Sequence, residues 1–147
     1  LEQAMIIRTI GNFRKSALSS SRKHRKAYPI STALTFAYKG ADIDDTDMGR
    51  VVENAVLNEI NARYFWREHT SEIDFILGRK GDIGVEVKMG GEGKYHFEQY
   101  SKDHALRSAF VITKDISSNG HSGSVDYTKI PAWALCAGAY VESIRDL

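Results

Sequence analysis

Hydrophobic and polar positions alternate with period two over two neighbouring stretches, Ser71-Glu72-Ile73-Asp74-Phe75-Ile76-Leu77 and Ile83-Gly84-Val85-Glu86-Val87-Lys88-Met89. Such alternation predicts half-buried strands. In the first, Ile73, Phe75 and Leu77 point one way and Glu72 and Asp74 the other; in the second, Ile83, Val85, Val87 and Met89 oppose Glu86 and Lys88. Asp74, Glu86 and Lys88 are thereby expected on one shared, non-core face. Between the stretches lies Gly78-Arg79-Lys80-Gly81-Asp82, whose two glycines and aspartate suit the tight loop of a β-hairpin. With Leu77 and Ile83 as the closing pair, counting sets Asp74 opposite Glu86 and Glu72 opposite Lys88.

From Asp47 to Ala62 the pattern changes to a helical one. Asp47, Arg50, Asn54, Asn58 and Asn61 gather into a narrow polar arc, while Val51, Val52, Ala55, Val56, Leu57 and Ile60 cover most of the remainder. Asp47 or Thr46 is placed to cap this helix, and the Asp42-Ile43-Asp44-Asp45 run brings negative charge to its positive end. Glu53 leaves the polar arc. Flanked by Val56, Leu57 and Ile60, it is directed at the body of the protein, where an unpaired carboxylate is costly. Glu59 also falls on the apolar side, so periodicity leaves the choice between them open.

Downstream and upstream patterns complete the expected architecture. Arg63 to Glu68 reads as a strand that forms a meander with the hairpin, and a Gly90-Gly91-Glu92-Gly93 loop then leads to a helix from about Tyr95 to Leu106. Ala109-Phe110-Val111-Ile112-Thr113 reads as a buried strand whose crossover through that helix predicts parallel pairing. Ile116 to Ser124 is Gly/Ser-rich and reads as a loop, Val125-Asp126-Tyr127 as a short strand, and Pro131 as the opening of a closing helix. Leu1 to Ile10 reads as a helix ended by Gly11. Residues 1–45 are thus expected to supply an N-terminal helix, a basic loop and a short strand and helix packed on a core of residues 46–147, all within a single domain.

Carboxylates directly opposed on neighbouring strands destabilise a hairpin by up to roughly 1 kcal/mol. A cation between them removes that cost. Mg²⁺ or Mn²⁺ suits the position, because either takes oxygen ligands from one or two carboxylates and leaves room for water and phosphate. One reading is therefore a metal centre at Asp74 and Glu86 with a helix carboxylate as third ligand. The other is a solvated hairpin face, on which Glu72 pairs with Lys88 and the two acids turn to water.

In chain order, Glu53 on a helix, Asp74 on a strand, Glu86-Val87-Lys88 on the next strand and a following helix resemble the PD-(D/E)xK nuclease superfamily. Glu86-Val87-Lys88 stands as the (D/E)xK element. More narrowly, Gly49-Arg50-Val51-Val52-Glu53-Asn54, Glu72-Ile73-Asp74-Phe75, Glu86-Val87-Lys88 and Lys129-Ile130-Pro131-Ala132-Trp133-Ala134-Leu135 are similar to the nuclease-like C-terminal domain of archaeal-type prokaryotic P-loop (AAA+) ATPases. The resemblance reaches from the opening helix to about Leu135. It implies an α/β fold with a restriction-endonuclease-like αβββαβ core, a central mixed β-sheet flanked by helices, although other α/β sandwiches share that order. It also implies a Mg²⁺- or Mn²⁺-dependent nuclease acting on DNA. In such an enzyme Asp74 and Glu86 hold the metal, Glu53 completes the shell directly or through water, and Lys88 positions the attacking water and offsets charge on the phosphorane. The implied partner is an upstream P-loop ATPase module, for which a non-catalytic version of this domain would be an accessory that binds nucleic acid or protein.

Two stretches depart from these patterns. Where the ATPase-linked domains carry Tyr-x-x-Asp-x-Gly-Leu, this chain has Tyr28-Pro29-Ile30-Ser31-Thr32-Ala33-Leu34, without the acid and the glycine. Several nuclease branches place Gln-x-x-x-Tyr on the helix after the (D/E)xK strand, and the nearest counterpart here is His96-Phe97-Glu98-Gln99-Tyr100, with His in the Gln position. An ordinary packing role for His96 and Tyr100, one turn apart, is the plainer reading.

Composition narrows the class. The chain has 147 residues and 42% hydrophobic content, enough for one sizeable core and hardly two. Its net charge of +1 makes no demand for nucleic acid, but the charge is unevenly spread. Arg14, Lys15, Arg22, Lys23, Arg25 and Lys26 crowd a Ser-rich segment free of acids, suited either to contacting phosphates or to serving as a solvated connector. Arg22, Lys23, Arg25 and Lys26, with Lys94 and Gln99 beyond the (D/E)xK strand, are the candidate DNA contacts. The aspartates from Asp42 to Asp47 lack the ligand order and glycine of a calcium loop and are better explained by helix capping. Cys136 is the sole cysteine, so no intramolecular disulfide forms and a cytoplasmic location is expected. No apolar run spans a bilayer, no secretory signal pattern is present, and no G-x-x-x-x-G-K-[ST] occurs. Beginning at Leu1 rather than Met, the chain is expected to be a piece of a longer protein; a homo-oligomer is compatible with its composition.

Overall fold

The computed structural model describes residues 6–14, 24–40, 42–90 and 93–145. Its strands are β1 (Ile7–Asn12), β2 (Lys26–Pro29), β3 (Tyr64–Glu68), β4 (Ser71–Leu77), β5 (Ile83–Lys88), β6 (Ser108–Thr113), β7 (Ser118–Ser122) and β8 (Val125–Pro131). The helices are α1 (Thr32–Lys39), α2 (Asp45–Ile60), α3 (Phe97–Ser101), α4 (Ala132–Cys136) and α5 (Val141–Arg145). All eight strands join one mixed sheet in the order β2-β1-β3-β4-β5-β6-β8-β7, so the expected α/β class holds and the β4–β5 hairpin lies at its centre. Among the described residues, no helix is long and apolar enough to cross a membrane.

The central hairpin closes as counting predicts, with Leu77 paired to Ile83, Ile76 to Gly84 and Phe75 to Val85. Gly78 and Gly81 take positive φ in its loop, +81° and +69°, which side chains other than glycine seldom adopt. β6 pairs in parallel with β5, from Ile83↔Ser108 to Lys88↔Thr113, as the crossover requires. β6 and β8 are parallel too, which buries Val111, Ile112 and Ile130 in the sheet interior.

Four expectations are corrected. Residues 7–12 form a strand rather than the end of a helix, residues 1–5 of that expected helix lying outside the described residues, and β1 joins antiparallel to β2 and parallel to β3, so both strands extend the sheet itself. Alternating burial of Ile10 and Asn12 is met here by pairing on both sides, which outweighs a local helical pattern. α3 is much shorter than Tyr95 to Leu106. The amides of Asp103 and His104 both turn back to the Tyr100 carbonyl, and those of Arg107 and Ser108 bond to Asp82 O, which ends the helix. The segment expected as a loop from Ile116 to Ser124 contains β7, held by a hairpin register from Ser118↔Lys129 to Ser122↔Val125. Finally, α2 starts earlier than expected: its cap is Asp44, whose Oδ1 accepts the Asp47 amide at 2.7 Å.

Two apolar layers enclose the sheet. On one side Val56, Leu57 and Ile60 of α2 meet Phe65, Phe75, Ile83, Val85, Ile112, Leu135 and Ile144; on the other, Phe97 and Tyr100 of α3 meet Trp66, Ile73, Ile76 and Val111. Ile73 and Phe75 therefore lie on opposite faces, against strict alternation. The cause is a β-bulge. Tyr64 pairs with Ile76 but Trp66 with Ile73, leaving Asp74 and Phe75 opposite the single residue Phe65.

Candidate functional site

The bulge decides where Asp74 points. With one extra residue in β4, Asp74 follows Phe75 and Glu72 toward the α2 side, and the β4–β5 ladder ends at Phe75↔Val85. Beyond that pair the Val87 amide donates to Asp74 Oδ2 at 2.9 Å, so a side-chain carboxylate is wedged where the two central strands separate. Glu86 and Lys88 leave β5 on the opposite face from Val85 and Val87, which pack in the α2-side core. The expectation of one shared face for Asp74, Glu86 and Lys88 is thus corrected: Asp74 belongs with Glu53, and Glu86 with Lys88, on either side of the split.

On the α2 side, Lys26 of β2 is the centre of the cluster. Its Nζ lies 2.5 Å from Glu72 Oε1, 3.1 Å from Glu53 Oε1 and 3.3 Å from Asp74 Oδ1, and 5.5 Å above the Phe65 ring centre. Burial would depress this ammonium, but Asp74, Glu53 and Glu72 together outweigh it and raise its pKa. Tyr28, two residues on, donates its hydroxyl to Glu53 Oε1 at 2.5 Å. Burial and the adjacent Glu53 push that phenol upward, so it serves as a donor at any physiological pH. Glu72 also pairs with Arg67. Asp74 titrates above the usual carboxylate range through burial and Glu53, against the opposing pull of Lys26 and the Val87 amide. The Glu72–Lys88 pair of the solvated-face reading is not formed; Glu72 takes Lys26 and Arg67, and Lys88 takes Glu86.

On the other side of the split, Glu86 is 1% exposed. The His96 amide donates to its Oε1 at 2.8 Å, and its Oε2 has no hydrogen-bond partner, with Lys88 Nζ at 3.5 Å. Burial pushes the Glu86 carboxyl up to about 7, only partly offset by the His96 amide and Lys88. His96 is fixed by a 3.0 Å contact from Nδ1 to the Glu72 carbonyl, so it joins the two halves of the site through its backbone and ring.

Of the residues expected from sequence, Glu53, Asp74, Glu86 and Lys88 converge on the split, and Glu53 rather than Glu59 is the helix carboxylate that reaches it. Lys26 enters as an ion-pair partner of carboxylates rather than as an exposed DNA contact. Arg25 and Lys94 are exposed, and Gln99 is exposed on α3, accepting from Lys102 Nζ at 3.2 Å. Arg22 and Lys23, like Lys15, lie outside the described residues. Tyr100 is a core residue, fully buried with its hydroxyl on the Gly81 carbonyl at 2.6 Å. Sequence reasoning passed over Tyr28 and the site role of Lys26. Their signal was available: residues two apart on a strand share a face.

The polar arc of α2 is not solvated as a whole. Asp47 and Asn54 are buried, and neither amide atom of Asn54 finds a partner. α1 and β2 cover this stripe, forming a cleft of about 500 Å³ lined by Lys26, Tyr28, Tyr38, Arg50, Glu53 and Asn54 among others.

The donor set around the split is all carboxylate oxygen, and the buried Glu86 Oε2 lacks a hydrogen-bond donor, both of which fit a hard divalent ion. Among the described residues, however, no three His, Cys, Asp or Glu side chains are grouped so as to hold a metal as they stand. The Lys26 ammonium lies among Glu53, Glu72 and Asp74 and is their shared ion-pair partner. Comparisons with family models, curated proteins and solved structures found no match to this chain.

Proposed function

We propose that this chain is a metal-dependent hydrolase of DNA phosphodiester bonds, with a restriction-endonuclease-like core of the PD-(D/E)xK type. The observation that carries the reading is the buried Glu86, whose Oε2 has no hydrogen bond among the described residues and only the Lys88 ammonium 3.5 Å away, across the strand split from Asp74 and Glu53. Burying a carboxylate with one oxygen outside any hydrogen bond costs stability, and a bound ligand would offset that cost. Asp74, Glu86 and Glu53 are the residues that would hold Mg²⁺ or Mn²⁺. When bound, such an ion polarises the phosphate and neutralises charge developing on it. The chain's own residues do the rest. The Val87 amide fixes Asp74, the Tyr28 hydroxyl fixes Glu53, and the His96 amide fixes Glu86, so the carboxylates are oriented before any ligand arrives. As water adds to phosphorus and the P–O bond to the leaving sugar oxygen breaks, the Lys88 ammonium lies where negative charge accumulates.

A cleavage assay on plasmid, linear and branched DNA with Mg²⁺ or Mn²⁺ tests this reading against Lys88→Ala. The variant is expected to keep its melting temperature and DNA affinity and to lose about 10²–10³ in rate. Wild-type protein that cleaves none of these forms, alone or joined to an upstream P-loop ATPase module, would refute it. The second reading, an accessory module of such an ATPase, is favoured by the three-carboxylate neutralisation at Lys26 and by the net charge of +1.

A further inference from the structure

We infer that the cleft between α1, α2 and β2 binds an adenine nucleotide, with Asn54 reading the edge of the base and Arg50 holding the phosphate. The inference is independent of the metal-dependent reading and uses none of its carboxylates. Asn54 is 2% exposed and lines the cleft, and among the described residues neither its amide nitrogen nor its amide oxygen has a hydrogen-bond partner. Such an amide offers a donor and an acceptor side by side, and burial makes leaving both unused costly. A ligand that satisfies it carries the opposite pair on one edge. Adenine does so: its exocyclic amine donates to Oδ1 while an adjacent ring nitrogen accepts from Nδ2. With no neighbour fixing it, the Asn54 amide is free to present either orientation to that edge.

The walls suit a flat ring. α1 contributes Leu34 and Tyr38, one turn apart on the same side of the helix, and β2 contributes Tyr28. Leu34 is 42% exposed and Tyr38 90%, and no residue of α1 is buried, so the apolar edge that α1 turns to the cleft is left largely uncovered. A stacked base covers it. At about 500 Å³ the cleft lies in the size range of small-molecule sites. Arg50 lines the same cleft one turn before Asn54, with its side chain 74% exposed. Its partner Asp47 stands at 3.6 Å and is held more closely by Lys39, at 2.7 Å, so the guanidinium fork is available to a phosphate. The Asn54 amide is closed off from water by the elements above it, of which β2 is fixed by pairing with β1. α1 buries no side chain and is tied to α2 through the Lys39–Asp47 ion pair, so it is the element that yields to admit the base and closes on it.

Calorimetry with adenosine monophosphate in the presence of a chelator tests the inference on wild type, Asn54→Leu and Arg50→Ala. Wild type should bind it, and Asn54→Leu should bind at least about fivefold more weakly, the low end for a lost bidentate base contact, with no fall in urea midpoint. Arg50→Ala should bind the nucleotide no better than wild type binds adenosine. Dimethylating the exocyclic amine of the ligand removes its donor, which should weaken binding to wild type but not to Asn54→Leu. Should Asn54→Leu fail to fold, Tyr38→Ala serves in its place, since so exposed a side chain carries little of the fold; it is expected to bind about tenfold more weakly through lost stacking. A single-stranded oligodeoxyadenylate identifies the source of the base: tighter binding than the mononucleotide assigns the cleft to a base of a DNA strand, and equal binding assigns it to a free nucleotide. If neither ligand binds, or if wild type and Asn54→Leu bind equally, the inference is overturned. With divalent ions chelated throughout, that result leaves the metal-dependent reading standing, and a failure of metal-dependent cleavage leaves this inference standing.

Discussion

Replacing Glu86 by Gln is expected to remove a folding penalty whose size follows from the structure. In the unfolded chain this carboxyl ionises near 4.5, and in the fold burial delays ionisation to about 7. Between those values the native protein binds a proton that the unfolded chain has lost, so stability falls as pH rises through the window and levels off above it. At about 1.36 kcal/mol per pH unit, the accumulated cost at pH 8 is on the order of 3 kcal/mol. Glutamine keeps the acceptor for the His96 amide but puts a donor nitrogen at the Oε2 position beside the Lys88 ammonium, which gives back about 1–3 kcal/mol at every pH. Urea unfolding from pH 4.5 to 8.5 in the presence of a chelator measures the effect. Wild type should lose stability across the window, and Glu86→Gln should lose less, so the variant gains on wild type as pH rises. Parallel curves for the two proteins would refute the reasoning, because the carboxyl would then not be the group that titrates.

Two further substitutions probe the frame that holds the site. Asn54→Leu should raise the urea midpoint, since it replaces a buried amide with no partner on either atom by an apolar group of similar volume, removing a penalty of about 1–3 kcal/mol; a fall in stability would mean that the amide is satisfied in solution. Gly81→Ala should lower the melting temperature, because φ is +69° there and an added Cβ would stand 2.2 Å from Phe13 Cζ. Calorimetric melting that leaves Gly81→Ala level with wild type would contradict the packing of Phe13 on the hairpin loop.

The central hairpin, its register at Leu77 and Ile83, the parallel partner β6 and the helix that carries Glu53 were all legible in the order of residues. These are set by local periodicity and by turn chemistry, which act over a few residues and leave their mark in the order of side chains. The candidate residues Glu53, Asp74, Glu86 and Lys88 were legible for the same reason. Their division between the two faces came from the assembled sheet. A single extra residue in β4, opposite Phe65, turns Asp74 to the side of Glu53 while Glu86 and Lys88 remain on the other, and period-two counting contains no sign of it. β1 and β2 gained their strand character from long-range pairing, and that pairing carried Lys26 from a basic segment into the midst of three carboxylates. Distant charge partners of this kind depend on which strands become neighbours, and the order of strands in a sheet is settled by packing of the whole chain rather than by any one segment.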